Sequence, residues 1–338
     1  MARRQKAQGI FHTMNIVLWL VFLGAFACYK VLGRTFTVGY RAMRRLHAAS
    51  DGRFSDRCLK VARVLRPART PELPSGFLGA WRATDIDRLV ADLDRDGIAL
   101  LPRVLPHADC AALEAFARST PATPIGARVK ELYSLENAKA LRYDFDEGDV
   151  LRSAEACRIC FDGTLAAIAA AYFRCRPIYD YAAMWWTTPR GARNYSQAAQ
   201  SFHWDMDRLF FLKFFLYLTD VTPATGPHIF VAGSHRHRPA ALRPYRRYDD
   251  DEVRMHYPAD AVREVCGLRG TLFAADTRAL HKGQPIVEGE RLVLQVEFTI
   301  SKFGQNYDNA NITWEQLRKQ GFARLPDARI FRNIRDAR

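Results

Sequence analysis

The second half of the chain is a succession of short strand patterns, and this feature limits the possible folds more than any other. Residues 291–300 alternate apolar with polar or charged side chains, as expected of a strand that places one face in a core. Residues 209–218 form an apolar run that only Lys213 interrupts, which is typical of a strand buried on both faces. Shorter strand patterns lie at 98–101, 178–186, 229–232 and 270–275. Many short strands separated by Gly and Pro turns predict a β-sandwich or a barrel.

Inside this β-rich region, His203 and Asp205 stand two residues apart, and His281 follows the predicted strand 270–275. Because strand side chains alternate, His203 and Asp205 point to the same face of an extended segment. Two His and one carboxylate on one side of a metal form the facial triad of non-haem Fe(II) oxygenases, which leaves positions open for a co-substrate and O2. The alternative is a pair of surface polar residues on a hairpin. The buried strand that follows and the placing of His281 favour a metal site with these three ligands.

Arg291 belongs to the polar face of the last predicted strand, together with Gln295 and Glu297. A buried guanidinium needs an anion, because an unpaired charge inside a protein is costly. A fixed Arg suits a carboxylate group of 2-oxoglutarate. The alternative is an internal ion pair with Glu297 or Asp276.

Lys213 also needs an anionic partner, because it interrupts a run of apolar residues that is predicted to be buried. It either serves a carboxylate of the co-substrate or substrate, or it pairs with Asp207 or Asp220. Arg291, Lys213 and Gln200 are the predicted co-substrate-binding residues. Tyr181 and Trp185 are further candidates for the pocket wall, whereas ordinary packing is preferred for Trp186. Three other histidines are interpreted as turn or surface residues: His228, His235 and His237.

The N-terminal part carries an apolar segment, which is uncharged from residue 14 to residue 29 and extends to residue 32 past Lys30. It lies at the short end of the roughly 17–25 residues that span a bilayer. We interpret it as a transmembrane or signal-anchor helix. The alternatives are a cleaved signal peptide, with a site at Ala25-Phe26-Ala27, and a helix that lies on the membrane surface. Basic residues are more numerous after the segment than before it, so the catalytic part is expected to face the cytoplasm.

The net charge of +14 is concentrated after this segment, where a basic stretch follows directly. Anionic membrane explains that position more simply than nucleic acid, which is not expected because no nucleic-acid motif is present. The predicted organisation is a basic flank at 1–13, the anchor at 14–32, a basic linker at 33–83, a β domain at 84–302 and a basic tail at 303–338. Helical patterns at 85–96 and 106–117 place helices beside the β domain, and one more is predicted near 314–319.

The seven cysteines have irregular spacing, which indicates reduced thiols rather than a disulfide framework. Cys157 and Cys160 form a single CxxC pair. Without a second pair nearby it is a weak zinc signal, and two cysteines on a helix are the simpler interpretation.

An ordered set of motifs between residues 85 and 301 resembles the phytanoyl-CoA dioxygenase family of Fe(II)/2-oxoglutarate oxygenases. The motifs are DGIALLP at 96–102, HWD at 203–205, LYLTDV at 216–221, TGP at 225–227, GSH at 233–235 and GTL at 270–272, then His281 and Arg291. One departure is Ala232, where the family usually has Pro before GSH, and it should alter only a turn. The apolar segment and the basic stretch lie outside the resemblance.

The resemblance implies a double-stranded β-helix (a jelly roll), mainly β with flanking helices, preceded here by the membrane anchor. It implies Fe(II) on His203, Asp205 and His281, with Arg291 holding the distal carboxylate of 2-oxoglutarate, and O2 as the other co-substrate. Related halogenases lack the carboxylate ligand, so Asp205 favours hydroxylation of an unactivated C–H bond. The membrane segment favours an amphiphilic or lipid-linked substrate, with a soluble small molecule as the alternative. The rival function is a membrane-tethered, non-catalytic jelly-roll binding protein.

Overall fold

The computed structural model describes residues 2–68, 75–76, 78–101, 105–190, 199–324 and 327–335. Its α-helices are α1 (Ala2–Leu32), α2 (Thr37–Ala49), α3 (Arg53–Leu65), α4 (Ala83–Asp96), α5 (His107–Ser119), α6 (Glu147–Val150), α7 (Ala154–Cys160), α8 (Gly163–Phe173), α9 (Asp250–Arg254) and α10 (Trp314–Lys319). Its strands are β1 (Ser75–Gly76), β2 (Gly79–Ala80), β3 (Ile98–Leu100), β4 (Thr123–Pro124), β5 (Arg142–Phe145), β6 (Ile178–Thr187), β7 (Phe211–Tyr217), β8 (His228–Val231), β9 (Val262–Val265), β10 (Leu272–Ala275), β11 (His281–Gly283), β12 (Arg291–Thr299), β13 (Ile312–Thr313) and β14 (Ile334–Arg335).

Seven strands form the larger sheet in the order β3-β10-β7-β12-β6-β5-β4, with every neighbouring pair antiparallel. The alternation along β12 divides its two faces as the sequence predicts. Leu292 and Leu294 pack in the main hydrophobic core with the helices, whereas Val293 packs in a second core on the other face. A strand buried on both faces explains why β7 reads as an almost unbroken apolar run.

A smaller antiparallel sheet, in the order β11-β8-β9, faces the larger one. The second core fills the space between them, with Phe215 and Phe273 from the larger sheet and Phe230 from β8. Residues 202–203 extend the smaller sheet, because His203 pairs with His281 at the free edge of β11. Two facing antiparallel sheets are the arrangement of a jelly roll, and the predicted class, mainly β with flanking helices, is confirmed.

Helices cover the outer face of the larger sheet. α4 and α5, both predicted, bury Leu93 and Leu113 completely. The stretch Ala154–Phe173, comprising α7 and α8, is apolar and long enough to cross a bilayer, but 78% of it is buried inside the protein. It is therefore a core element. Cys157 and Cys160 lie buried there as free thiols, as the helical interpretation of CxxC expects.

The prediction of a linker at 33–83 is wrong for residues 37–65, which pack in the main core. This stretch forms two helices, α2 and α3, and the chain breaks between them at Gly52, whose φ is +81°. Each helix buries an apolar stripe in the main core, with Met43 on α2 and Phe54 on α3. The basic residues that made this stretch read as a linker lie mainly on the outer sides of these amphipathic helices.

The described part of the C-terminal tail, 303–324 and 327–335, likewise packs on the rest of the protein. α10 lies where a helix was predicted, and Thr313 caps it. Beyond it, Phe331 is 2% exposed and packs against Phe161 and Tyr179 in the main core. The composition of 303–338 is polar and basic, but these few apolar side chains suffice to attach it.

α1 continues through the predicted anchor segment and packs along the protein. Phe22 is buried against Phe54 of α3 and Phe303, at ring-centroid distances of 4.9 and 5.5 Å. Gly39 of α2 lets the two backbones approach closely, because a Cβ on this residue would overlap the Cβ of Ala25.

Candidate metal centre

The backbone places two of the predicted ligands directly opposite each other. The N–H of His203 donates to the carbonyl of His281 at 2.9 Å, and the N–H of His281 donates back at 2.8 Å. Both side chains therefore point to the same face of the smaller sheet, and their ring centroids are 4.3 Å apart. The N–H of Asp205 then donates to the carbonyl of Thr277 at 2.8 Å, which holds the third residue in an extended conformation beside them.

Hydrogen bonds fix the tautomer of both imidazoles. Nδ1 of His203 lies 3.0 Å from the carbonyl of Ser201, and Nδ1 of His281 lies 2.9 Å from the carbonyl of Ala279. A carbonyl only accepts, so each Nδ1 carries the proton and each Nε2 keeps its lone pair. Burial lowers the pKa of both histidines, to well below the ordinary value for His203. Both rings are thus neutral ligands near pH 7.

The carboxylate of Asp205 completes the group, which we call the metal triad (His203, Asp205 and His281). Its oxygens lie 3.6 Å from Nε2 of His203 and 3.5 Å from Nε2 of His281. The three potential ligand atoms all lie within 4.8 Å of one another. Among the residues that the structure describes, this is the one such group of His, Cys, Asp or Glu.

Lys213 of β7 stands behind Asp205. Its ammonium contacts Asp205 and Asp207, each at 2.8 Å, and lies 3.7 Å from Glu297. Burial alone would raise the pKa of Asp205, but the charge of Lys213 outweighs it and lowers that pKa below the ordinary range. Of the two alternatives for Lys213, the predicted pair with Asp207 is present, together with an unpredicted pair with Asp205.

Glu297 is the least expected member of this group. It is fully buried, and neither carboxylate oxygen accepts a hydrogen bond from the described residues. Burial raises its pKa well above the ordinary value. Its nearest cation is thus Lys213, 3.7 Å away, and it does not pair with Arg291.

A cavity of about 400 Å³ opens in front of the metal triad. Arg291 lies in its wall with 3% exposure, and its Nε and Nη1 have no hydrogen-bond partner among the described residues. Burial lowers its pKa to about 10. Neither predicted internal partner is used, since Asp276 pairs with Arg278. An unpaired guanidinium beside a metal triad fits a carboxylate of a bound co-substrate.

His228 lines the same cavity, so its interpretation as a turn or surface residue is wrong. It lies on β8 and is 5% exposed. Tyr217 Oη donates to the carbonyl of Val265 at 2.9 Å, so Nδ1 of His228, 3.0 Å away, is the donor to Tyr217. Burial lowers the pKa of His228 well below the ordinary value, and its Nε2 remains an acceptor. The period of two along β8 was the signal that could have found it.

Some of the other candidate residues line the cavity, and the rest lie elsewhere in the protein. Tyr181 and Trp185 line the cavity, whereas Gln200 is not among its lining residues and its buried amide has no partner in the described chain. Trp186 packs on Tyr133, as expected. His235 sits in the expected turn but is buried, which corrects the surface interpretation, and His237 is exposed.

Trp204 links the metal triad to the N-terminal helices. It points away from its neighbours His203 and Asp205, and its ring packs 5.2 Å from the ring of His47 on α2. Arg238 lies over the same indole and donates to Nε2 of His47 at 2.9 Å. Nδ1 of His47 is 2.8 Å from the hydroxyl of Ser55 on α3. The segment predicted as a linker is thus the wall behind the metal ligands.

The donor set fits a divalent transition metal. Two neutral imidazoles and one carboxylate converge with their free electron pairs, and Lys213 holds the carboxylate from the side. The cavity is open on the opposite side, where the guanidinium of Arg291 is available. Fe(II), 2-oxoglutarate and O2 are therefore the cofactor and co-substrates that these residues suit.

Comparison with protein-family models gives a match to the phytanoyl-CoA dioxygenase description over residues 93–289, more than half of the chain. The chain belongs to the phytanoyl-CoA dioxygenase family. The match includes the whole metal triad, whereas Arg291 lies two residues beyond it and α1–α3 precede it. A comparison with curated proteins gives no match.

The chain is also similar, at low sequence identity, to solved structures. SnoN, an α-ketoglutarate-dependent non-haem epimerase from nogalamycin biosynthesis, has a TM-score of 0.50 and 17% identity over 64% of this chain and 84% of its own. AviO1 from Streptomyces viridochromogenes has 22% identity and a TM-score of 0.43 over 65% and 96%. HygX from Streptomyces hygroscopicus, solved with nickel and 2-oxoglutarate, has 14% identity and a TM-score of 0.46 over 68% and 90%.

Proposed function

We propose that this protein is an Fe(II)/2-oxoglutarate-dependent dioxygenase that hydroxylates an unactivated C–H bond of a small amphiphilic molecule. The observation that carries the proposal is the shared cavity of the metal triad and the unpaired guanidinium of Arg291. When bound, Fe(II) with 2-oxoglutarate and O2 supplies an oxidant for such bonds and turns 2-oxoglutarate into succinate and CO2.

The protein's own residues supply position and charge. His203, Asp205 and His281 hold the metal on one side and leave the cavity side open. Arg291 binds the distal carboxylate of 2-oxoglutarate. Lys213 keeps Asp205 ionised and turned toward the metal, which makes it a positioning residue rather than a co-substrate ligand.

The cavity wall supports an amphiphilic substrate. Trp185 and Phe215 give it an apolar side, with edge-to-face rings 6.5 Å apart. Arg247 is exposed at the same cavity and has no carboxylate partner among the described residues. A substrate with an apolar body and an anionic group complements both surfaces. We further propose that the protein works at a membrane and that its catalytic part faces the cytoplasm, where 2-oxoglutarate is available.

The test is anaerobic binding of Fe(II) and 2-oxoglutarate to the full chain, followed through the weak visible metal-to-ligand charge-transfer band. We expect a band in the wild type, none in His203→Ala, and a normal band in the matched control His256→Ala, which removes an exposed histidine. Oxygen should then release succinate, and a true substrate should accelerate that release. A folded wild-type protein with no band would favour the non-catalytic binding protein instead.

A further inference from the structure

The apolar part of α1 has two different surroundings. Over residues 16–32 one side packs on the protein, and its members are Trp19, Phe22, Ala25, Phe26 and Tyr29. The opposite side is exposed: Ile16 53%, Val17 53%, Leu20 65%, Leu23 54%, Val31 83% and Leu32 60%. We call this side the outer face of α1. Such a continuous apolar strip is rarely left in water and marks an interaction surface.

The charged residues in the part of the chain that contains this strip are nearly all positive. Residues 1–66 contain 13 Lys and Arg but only two acidic residues, Asp51 and Asp56, and residues 1–50 contain no acidic residue. Both acids pair with arginines of the β domain, Arg243 and Arg278. Within the described part of the chain, the following exposed cations have no carboxylate partner: Lys30, Arg34, Arg41, Arg45 and Lys60.

These two features select the occupant of the outer face. A second copy of the chain would bring two strongly positive surfaces together, which Coulomb repulsion opposes. A bilayer with anionic headgroups satisfies both features, since its acyl chains accept the leucines and its phosphates attract the cations. We propose that α1 lies in the plane of an anionic bilayer, with its outer face inserted and without crossing it.

The inner side of α1 argues against a spanning helix. A span would surround the helix with lipid and pull Phe22 and Phe26 away from Phe303, and Trp19 away from Phe54. It would also separate Ala25 from Gly39, where the two helix backbones are in close contact. The apolar stretch Ile16–Leu32 is at the lower length limit for a span in any case. The predicted transmembrane anchor thus becomes an interfacial one.

The first experiment measures co-sedimentation of the full chain with vesicles of phosphatidylcholine alone or mixed with phosphatidylglycerol. We expect binding to the anionic vesicles, weakened by added salt. Leu20→Gln/Leu23→Gln should lose at least about tenfold in affinity, because two inserted leucines become polar. The matched control is Leu132→Gln/Leu268→Gln, two leucines of similar exposure, 63% and 72%, outside α1–α3, and it should bind as the wild type does.

The second experiment separates an in-plane helix from a spanning one. Cysteines that replace Leu20 and Val31 on the outer face are labelled with an environment-sensitive fluorophore, one at a time. The accessible cysteines Cys28, Cys58 and Cys266 are serine in this background. Lipids with quenchers at shallow and deep positions then report the depth of each label. The two sites are about 16 Å apart along the helix axis, so a span gives very different depths and an in-plane helix gives equal ones.

The proposal is supported if the labels at residues 20 and 31 lie at equal depths and if Leu20→Gln/Leu23→Gln loses vesicle binding while the control double variant keeps it. It is overturned by unequal depths, by an equal loss in both double variants, or by a folded protein that ignores anionic vesicles. A dimer that Leu20→Gln/Leu23→Gln dissociates, without vesicle binding, also overturns it and assigns the outer face to a second copy. The proposal does not rest on the proposed reaction, and the catalytic test above can fail independently.

Discussion

The ammonium of Lys213 lies 2.8 Å from a carboxylate oxygen of Asp205, the acidic member of the metal triad. Lys213 is buried, and two further carboxyl groups lie near its ammonium: Asp207 at 2.8 Å and Glu297 at 3.7 Å. The contact between Lys213 and Asp205 therefore keeps the Asp205 carboxylate charged and fixes its orientation toward the metal site.

Replacing Lys213 should weaken the metal site without touching a ligand. Lys213→Met keeps most of the length of the side chain but leaves Asp205 beside the uncompensated Asp207. We expect Fe(II) affinity to fall by about 10–100-fold, the usual cost of losing a partner of a metal ligand. Titration with Fe(II) or Co(II) measures it. Lys282→Met is the control, because Lys282 is an equally buried lysine next to His281 that pairs with Asp250 instead. Equal affinities in the two variants would contradict this role.

Arg291 should matter for the co-substrate rather than for the metal. Arg291→Gln removes the charge opposite the 2-oxoglutarate carboxylate, and we expect KM for 2-oxoglutarate to rise about thirtyfold or more, equivalent to ~2 kcal/mol. Fe(II) affinity should be unchanged. The surface variant Arg329→Gln, which breaks an exposed pair with Asp327, serves as the control. An unchanged KM, or a loss confined to metal binding, would assign Arg291 another role.

The strands and the metal ligands could be predicted because both depend on local alternation. His203 and Asp205 share a face for the same reason that Leu292 and Leu294 do. The partners of these residues could not be predicted, since Lys213 meets Asp205 and His47 meets Trp204 only after distant elements pack. The segment 33–83 was misjudged because its charges dominate its composition, whereas a few buried residues such as Phe54 determine its position.

The stability of the fold should fall as pH drops below 6.5, and His47 should contribute. Its Nε2 accepts from Arg238, and burial lowers its pKa well below 6.5, so the folded state excludes a proton that the unfolded chain binds. Stability is therefore complete above pH 6.5 and is lost below it, by about 1.4 kcal/mol per pH unit for one such histidine. Urea midpoints near neutral pH and about one unit below 6.5 measure it. His47→Gln should lose about 1 kcal/mol less than wild type over this interval.

The exposed histidine His256 provides the control for this titration. His256→Gln should keep the wild-type dependence on pH, because it changes an exposed side chain and leaves His47 and its buried contacts in place. If His47→Gln also kept the full wild-type dependence, buried His47 would not be one of the groups responsible.

Substitution within α3 tests whether residues 33–66 belong to the folded unit. Phe54→Ala removes a side chain that is 1% exposed, and we expect a loss of about 3–5 kcal/mol in the free energy of unfolding. Val64→Ala on the same helix, where Val64 is 81% exposed, should change it by less than about 0.5 kcal/mol. Chemical denaturation measures both. Two small and equal changes would mean that α3 is only loosely attached.

The position of Trp204 limits how far the chain can be shortened without disturbing the metal centre. Its indole belongs to the wall formed by α2 and α3, while the residues on either side of it belong to the metal triad. A chain trimmed to the family match at 93–289 would retain all three ligands and lose both that wall and Arg291. The region that matches the family model is therefore shorter than the part of the chain that builds the metal centre. A protein made from the matched region alone would contain the three ligands without the residues that support them.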